Sequence, residues 1–478
     1  MSDIQSDTKK TGLPKAIPFI IGNEAAERFS FYGIRSIMST FLVAQFFNPL
    51  NNPMMQGVAE ARANELAHLF ATLAYFMPLV GGIMADWFFG KYKVILYVSI
   101  LYAIGNLTVA LSTHNITMFI TGLIVIAVAA GGIKSCVSAN VGDQFDKSNE
   151  HLMSKMYGWF YFTIQAGGMM ASVFIPVVYS KYGPEWAFGI PGVLMCLATV
   201  VFWLGRKRYV RVPPSGVKKE NYVNITAYAI KQAFSNRNGA SVWDVVANKY
   251  SAKAIDGVRA VNRILMIFAF TPIYWALWDQ NLSEWVLQAN KMDRTIFGFE
   301  LLAGQVQTFN QLFLIGLIPV FTYFIYPFLQ KIGITPSPLR KIGAGLFLTA
   351  LTFIIIALVQ QNLDHGGKPT IGWQILAYLI LAASEILVSI TCLEYAYTHS
   401  PKSMKSTMSA LYLLGISIGN YFDSLVNKSI VNNGFFAQFT GAKYYWFFIG
   451  VLSAFFILYL FVAKSLPEKS YVGVEEEA

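Results

Sequence analysis

Charged side chains are scarce in this sequence. Asp, Glu, Lys and Arg make up 13% of its 478 residues, against about 25% in a soluble globular chain, and no interval between its apolar runs has the make-up of a soluble domain. Cysteine is nearly absent. Cys136, Cys196 and Cys392 lie far apart in apolar segments, which argues against a disulfide framework or a thiolate metal site and reads as three buried thiols. The opening stretch MSDIQSDTKKTGLPK has neither a short apolar core nor a small-residue cleavage site, so no cleaved leader is expected. No HExxH motif, paired aspartates or Ser/His arrangement stands at useful spacing. The expectation is a protein that is not an enzyme and uses no cofactor and no metal.

What the chain has in abundance is apolar length. Hydrophobic residues are 55% of the total, and a bilayer core about 30 Å thick needs roughly 20 of them per helical span. Twelve candidate spans fall near 17–46, 64–89, 93–112, 116–140, 154–179, 185–205, 261–288, 304–330, 339–360, 371–398, 405–427 and 444–464. Their period is helical or continuous, not the short alternation of a membrane β-barrel. The fold class is therefore an all-α membrane protein with about 12 transmembrane helices in two six-helix halves. Residues 1–205 form the N-terminal bundle, 206–257 a cytoplasmic linker with one amphipathic helix in NITAYAIKQAFSN, and 258–478 the C-terminal bundle. Lys and Arg gather in alternate loops (Lys91 and Lys93, Lys147 and Lys155, the block from Arg206, Arg340 and Lys341, Lys402 and Lys405), which puts both termini in the cytoplasm. The net charge of +10 then reflects that bias and attraction to lipid headgroups, not nucleic-acid binding.

Against this background the first span is costly. NEAAERFSFYG carries Glu24, Glu27 and Arg28, and Arg35 follows; each such charge costs about 2.5–3.5 kcal/mol at mid-bilayer. At 100° per residue Glu24, Glu27, Arg28, Tyr32 and Arg35 share an arc of about 140°, so one polar stripe can face the bundle. Arg28 lies one turn after Glu24, a spacing that suits an internal ion pair. Other spans add His68 and Tyr75, Lys134, Trp275 with Asp279 and Gln280, Asn310, and Glu385. Fixed charges that merely hold packing are the plain alternative for any one pair. The whole set, spread over both halves, fits a polar cavity for a zwitterion, with bases in the first half and an acid in the second. Carboxyl groups beside a movable base can also couple proton binding to conformation.

GGIMADWFFGKYK, with Gly82, Asp86, Gly90, Lys91 and Lys93, resembles the loop motif of the major facilitator superfamily. Glu24-x-x-Glu27-Arg28-Phe29, continued by Ser30-Phe31-Tyr32-Gly33, resembles the ExxERF signature of the proton-coupled oligopeptide transporters within it, with Phe31 where a second Tyr is frequent. GGIKSCVSANVGDQF (Ser135 for a frequent Pro), YFTIQAGG (Gln165 for the usual Asn), WALWDQ and LEYAYTHSPKSMKS extend the likeness over about residues 16–465.

The resemblance implies a major facilitator fold and a symporter that imports di- and tripeptides with protons by alternating access. It implies that Arg28 and Lys134 bind the peptide carboxylate and Glu385 its amino terminus. Tyr32, Tyr75, Gln165 and Asn310 would contact the backbone, while Trp275 and Tyr412, the latter where Trp is common, would line side-chain pockets. Glu24, Glu27 and Arg28 would serve proton coupling, with Glu27 pairing with Lys134 in the absence of ligand. His68 and Asp279 join that set, His68 either as a proton site or as a tuner of its neighbours, and Arg35 with Asp279 would gate the extracellular side. His68, the missing pair of extra helices between the halves and the short segment QQNLDHGGKPTIGW together resemble a bacterial member with an animal-like core. The implied setting is the inner (cytoplasmic) membrane and a functional monomer in the lipid bilayer. A proton-coupled carrier of nitrate or another small metabolite is the alternative, and a peptide receptor without turnover is a more distant one.

Overall fold

A computed structural model describes residues 12–48, 56–146, 149, 152–216, 220–235, 241–401 and 404–465. The termini, Lys147 and Lys402, and parts of the linker, 217–219 and 236–240, lie outside the described residues. Contacts divide the chain into two compact units, one of residues 1–216 with 301–308, the other of 217–300 with 309–478.

The first unit holds α1 (Ile17–Gln45), α2 (Gln56–Met84), α3 (Lys91–Leu111), α4 (Ile116–Gly142), α5 (Met153–Tyr182) and α6 (Pro184–Leu204). Between lipid-exposed helices there is little hydrophobic drive, so small residues that let backbones approach set the packing. A Cβ on Gly81 of α2 would stand 2.6 Å from Gly132 Cα of α4, and one on Gly131 would collide with Met77. Gly82, which opens the loop motif with Gly81, is not the tight one: its Cβ would meet only Ser135 at 3.8 Å. α1 packs on α2, α5 and α6, and α3 on α4 and α6. Gly90, at φ +79°, ends a π-helical turn over Ala85–Phe89; Lys91 beyond it pairs with Asp143 at 2.7 Å, tying the start of α3 to the end of α4.

The second unit holds α7 (Tyr222–Ser235), α8 (Val242–Ala247), α9 (Ala252–Phe268), α10 (Thr271–Asp279), α11 (Glu284–Lys291), α12 (Thr308–Val320), α13 (Tyr326–Lys331), α14 (Pro338–Asp364), α15 (Gly372–Glu385), α16 (Thr391–His399), α17 (Lys405–Val431) and α18 (Ala442–Ser465), with a short hairpin of β1 (Thr295–Ile296) and β2 (Phe299–Glu300). The seventh expected span is broken: α9 and the run from Thr271 bend by 45°, where Pro272 opens α10 and cannot donate back to the preceding turn. The eighth and tenth are interrupted by π-helical turns at Phe321–Ile325 and Ile386–Ile390. The linker contains α8 as well as the expected α7. Its Glu220 carboxylate accepts from both the Ser251 hydroxyl and the Ser251 N–H at the start of α9, which holds it below the usual carboxylate range.

Among the described residues nine helices are long and apolar enough to cross a membrane, and ten if the bent pair is one span. α1 and α17 are of similar length but more polar; α1 carries the four charges noted above. Large apolar side chains such as Leu107, Leu111, Val193 and Leu197 point outward, as a lipid-facing surface requires. Cys196 sits on that outer face of α6 and is exposed, which corrects its reading as a buried thiol; Cys136 and Cys392 are buried.

Candidate functional site

Within the first unit the charged stripe of α1 is fully internal. Glu24 is 2% and Glu27 0% exposed. Arg28 Nε donates to Glu24 Oε1 at 2.7 Å and stands 3.0 Å from Glu27 Oε2, so one guanidinium serves two carboxylates. From α4, Lys134 Nζ reaches to 3.5 Å from Glu27 Oε1. Two carboxylates are thus matched by two cations, a neutral cluster in a setting where any unmatched charge is expensive. Polar rungs on α3 brace the same helix: Ser30 donates to Asn106 at 2.9 Å, and Ser99 to Asn23 at 3.4 Å.

The glycine pair of YFTIQAGG explains how α5 fits beneath this cluster. A Cβ on Gly167 would press on Ala25 O and Arg28 Cβ at 3.1 and 3.3 Å, and one on Gly168 would reach Tyr32 at 2.9 Å. Tyr32 and Tyr75 are half-buried beside the cluster, their rings edge-on to Phe31 at 5.7 and 6.0 Å. Arg35 and His68 are buried, on α1 and α2. Gln165 is half-buried and its amide donates to Tyr161 OH, one turn back on α5, at 2.9 Å.

The second unit solves its carboxylates differently. Glu385 ends α15 just before the π-helical turn, and its Oε2 accepts from Trp278 Nε1 at 3.0 Å and Asn310 Nδ2 at 3.1 Å. Asn310 Oδ1 is buried without a hydrogen-bond partner among the described residues. Trp275 stacks edge-on with Trp278 and with Tyr412 at 5.1 and 6.1 Å, and the Tyr412 hydroxyl donates to Ser389 inside the same π-helical turn at 2.8 Å. Close packing of α17 on α10 makes this possible: a Cβ on Gly419 would stand 2.8 Å from Ala276 N. Asp279 is fully buried and accepts from Asn420 at 2.7 Å. Nearby, Glu284 accepts from Tyr444 at 3.0 Å and Asn427 at 3.3 Å.

The family model described as the POT family matches residues 92–447. The chain belongs to the POT family. Peptide transporter family 1 of Drosophila melanogaster is 34% identical over 371 residues, covering 74% of this chain and 48% of that protein. The chain spans about half the length of the curated relatives it matches. Among solved structures, an auto-inhibited POT family peptide transporter is 33% identical with a TM-score of 0.89, covering 96% of this chain and 98% of that one. The POT family transporter PepTSo is 36% identical at TM-score 0.87, covering 95% and 99%. The fold is therefore the all-α, major facilitator architecture of the POT family, and the protein is a multi-pass membrane protein.

Several buried polar and aromatic side chains around these residues escaped the sequence reading. Trp278, three residues after the expected Trp275, is the indole that binds Glu385; both belong to WALWDQ, and only the end of α10 decides which one turns there. Asn420, Asp423, Glu284, Asn427 and Tyr444 form buried polar contacts on α10, α11, α17 and α18. For those on α17 the signal was present as polar residues at i, i+3, i+4 and i+7, Asn420, Asp423, Ser424 and Asn427, in a span where the sequence reading named Tyr412 alone as a site residue.

Proposed function

We propose that this protein is a proton-coupled symporter that imports di- and tripeptides by alternating access. The observation that carries this reading is the neutral Glu24, Glu27, Arg28 and Lys134 cluster. A peptide carboxylate that settles on Arg28 and Lys134 adds one negative charge to a buried, balanced set. Protonation of Glu27 or Glu24 restores neutrality, so ligand and proton favour each other's binding. Glu385, held among the described residues by an indole and a carboxamide, can take the peptide ammonium without first losing a resident cation. The free Asn310 carbonyl oxygen is a second acceptor for the same group. Tyr32, Tyr75 and Gln165 contact the peptide backbone in this reading, and Trp275 and Tyr412 bound its side chains. His68 and Asp279 assist the proton-linked step, and Arg35 and Asp279 act as gating groups.

The relatives named above as peptide transporters support this substrate class. A small anion such as nitrate has no use for Glu385, which weighs against the alternative. The two bundles act as halves of one transporter joined by the 206–257 linker, as a monomer in the inner (cytoplasmic) membrane with both termini in the cytoplasm.

Competition in proteoliposomes tests the reading. Dialanine uptake driven by an inward proton gradient should be inhibited by other dipeptides and untouched by nitrate. Nitrate uptake that dialanine does not inhibit would reject it.

A further inference from the structure

Phe31 lies inside the charged stripe, and neither the ion pairs nor the proposed peptide contacts use it. It is fully buried and stacks with Phe70 at 5.7 Å, which by itself is ordinary packing. Its ring, however, also carries a cation: Lys134 Nζ lies 3.8 Å from the ring centroid, well inside the roughly 6 Å reach of a cation–π contact. The Tyr75 ring flanks the same ammonium at 5.2 Å. By contrast Glu27 Oε1, at 3.5 Å, is at the outer limit of a hydrogen bond. The ammonium therefore sits at an ordinary cation–π distance from the ring while its contact with the carboxylate is a long one.

We infer that the face of Phe31 is a second seat for the Lys134 ammonium, shared with Glu27 in this structure and kept when Lys134 gives up Glu27, which makes Phe31 a positioning residue for the proton-linked step. This rests on the transport reading above. Once Glu27 takes a proton it no longer compensates Lys134, and until a peptide carboxylate settles there the buried ammonium is costly. The negative face of an aromatic ring compensates part of that charge without titrating and without competing for the proton. Glu24, Arg28 and Arg35 on α1 are the other charges facing this group, Arg35 with its guanidinium carbon 5.8 Å from the Phe31 centroid. Tyr75 on α2 and Tyr102 on α3 are the titratable groups across from them. From α5, glycines press on Arg28 and Tyr32 and bring no charge.

The test compares Phe31→Tyr, which keeps the ring face, with Phe31→Leu and Phe31→Met, which remove it. In proteoliposomes Phe31→Leu should hold Lys134 on Glu27 and oppose its protonation. The pH midpoint of proton-driven dialanine uptake should then move to the acid side by a factor of about 3 to 30 in proton activity, the range expected of a cation–π contact. Phe31→Tyr should leave it in place, and Phe31→Met replaces Phe31→Leu if that variant does not fold. An unmoved midpoint in the ring-less variants, or an equal shift in Phe31→Tyr, overturns the proposal. A thermal-stability cycle of Phe31→Leu with Lys134→Met reads the seat without transport: the loss should shrink when Lys134 is absent. Additive losses overturn the seat even in an active transporter, while coupled losses in a protein that moves no dialanine uphold the seat and reject the transport reading.

Discussion

Glu24 and Glu27 of the first unit and Glu385 of the second are held under opposite rules. In the first, Glu24 and Glu27 are matched by Arg28 and Lys134 at 2.7 to 3.5 Å, so each acid is held by a formal counter-charge. In the second, Glu385 rests on an indole N–H and an amide. The difference has a chemical meaning. A carboxylate locked to a cation takes a proton only when that cation has somewhere else to go, so its protonation is tied to movement or to ligand arrival. A carboxylate on neutral donors is preorganised for an incoming cation and need break no ion pair to accept it. In the proposed function the first set serves coupling and Glu385 serves capture.

Substitutions can break this contrast, and the largest effect belongs to the acid that touches Lys134. Glu27→Gln should reduce proton-driven accumulation of dialanine to background while counterflow exchange survives; accumulation at the native level would mean that the coupling acid lies elsewhere. Next comes the shared guanidinium. Arg28→Leu strands two buried carboxylates and should cost about 3–5 kcal/mol, read as a lowered unfolding transition in detergent, whereas a similar loss from Glu385→Gln would erase the distinction between the units.

On the capture side, Glu385→Gln keeps the shape and loses the charge. Competition assays should show peptides with a free amino terminus weakened by about 1.5–3 kcal/mol, roughly 10- to 100-fold, with N-acetylated peptides nearly unchanged; equal losses for both would remove Glu385 from amine recognition. The smallest effect is expected at Gln165. Its amide is turned to Tyr161 at 2.9 Å, so Gln165→Ala should change dialanine KM by no more than about threefold. An unchanged KM would remove Gln165 from the backbone contacts proposed above, and a much larger rise would make it one of the principal ones.

The charged stripe of α1 was legible in the sequence because charge inside an apolar run is rare and the helical period alone gathers Glu24, Glu27, Arg28 and Arg35 on one side. The i,i+4 pair followed from that spacing, and Lys134 as the partner of Glu27 followed from the family resemblance. What stayed hidden depends on how helices meet. Nothing in ILVSI distinguishes the π-helical turn at Ile386–Ile390 from the helix around it, yet that turn follows Glu385 and supplies Ser389 to Tyr412. Gly131 and Gly167 stand inside the quoted motifs GGIKSCVSANVGDQF and YFTIQAGG, but only the crossings of α2 on α4 and α1 on α5 reveal that a methyl group would not fit there. Phe31 read as a departure from a familiar pattern, and its role as a ring beneath a cation needed the position of Lys134.

The central claim is that charge balance in the α1 and α4 cluster links peptide to proton. Simultaneous recording of labelled dialanine and internal pH in proteoliposomes, with no gradient imposed other than that of the peptide, tests it most directly. The account predicts that inward dialanine movement acidifies the lumen, and that Glu27→Gln lets dialanine exchange with no acidification. Dialanine entry through the native protein without any proton movement would contradict it.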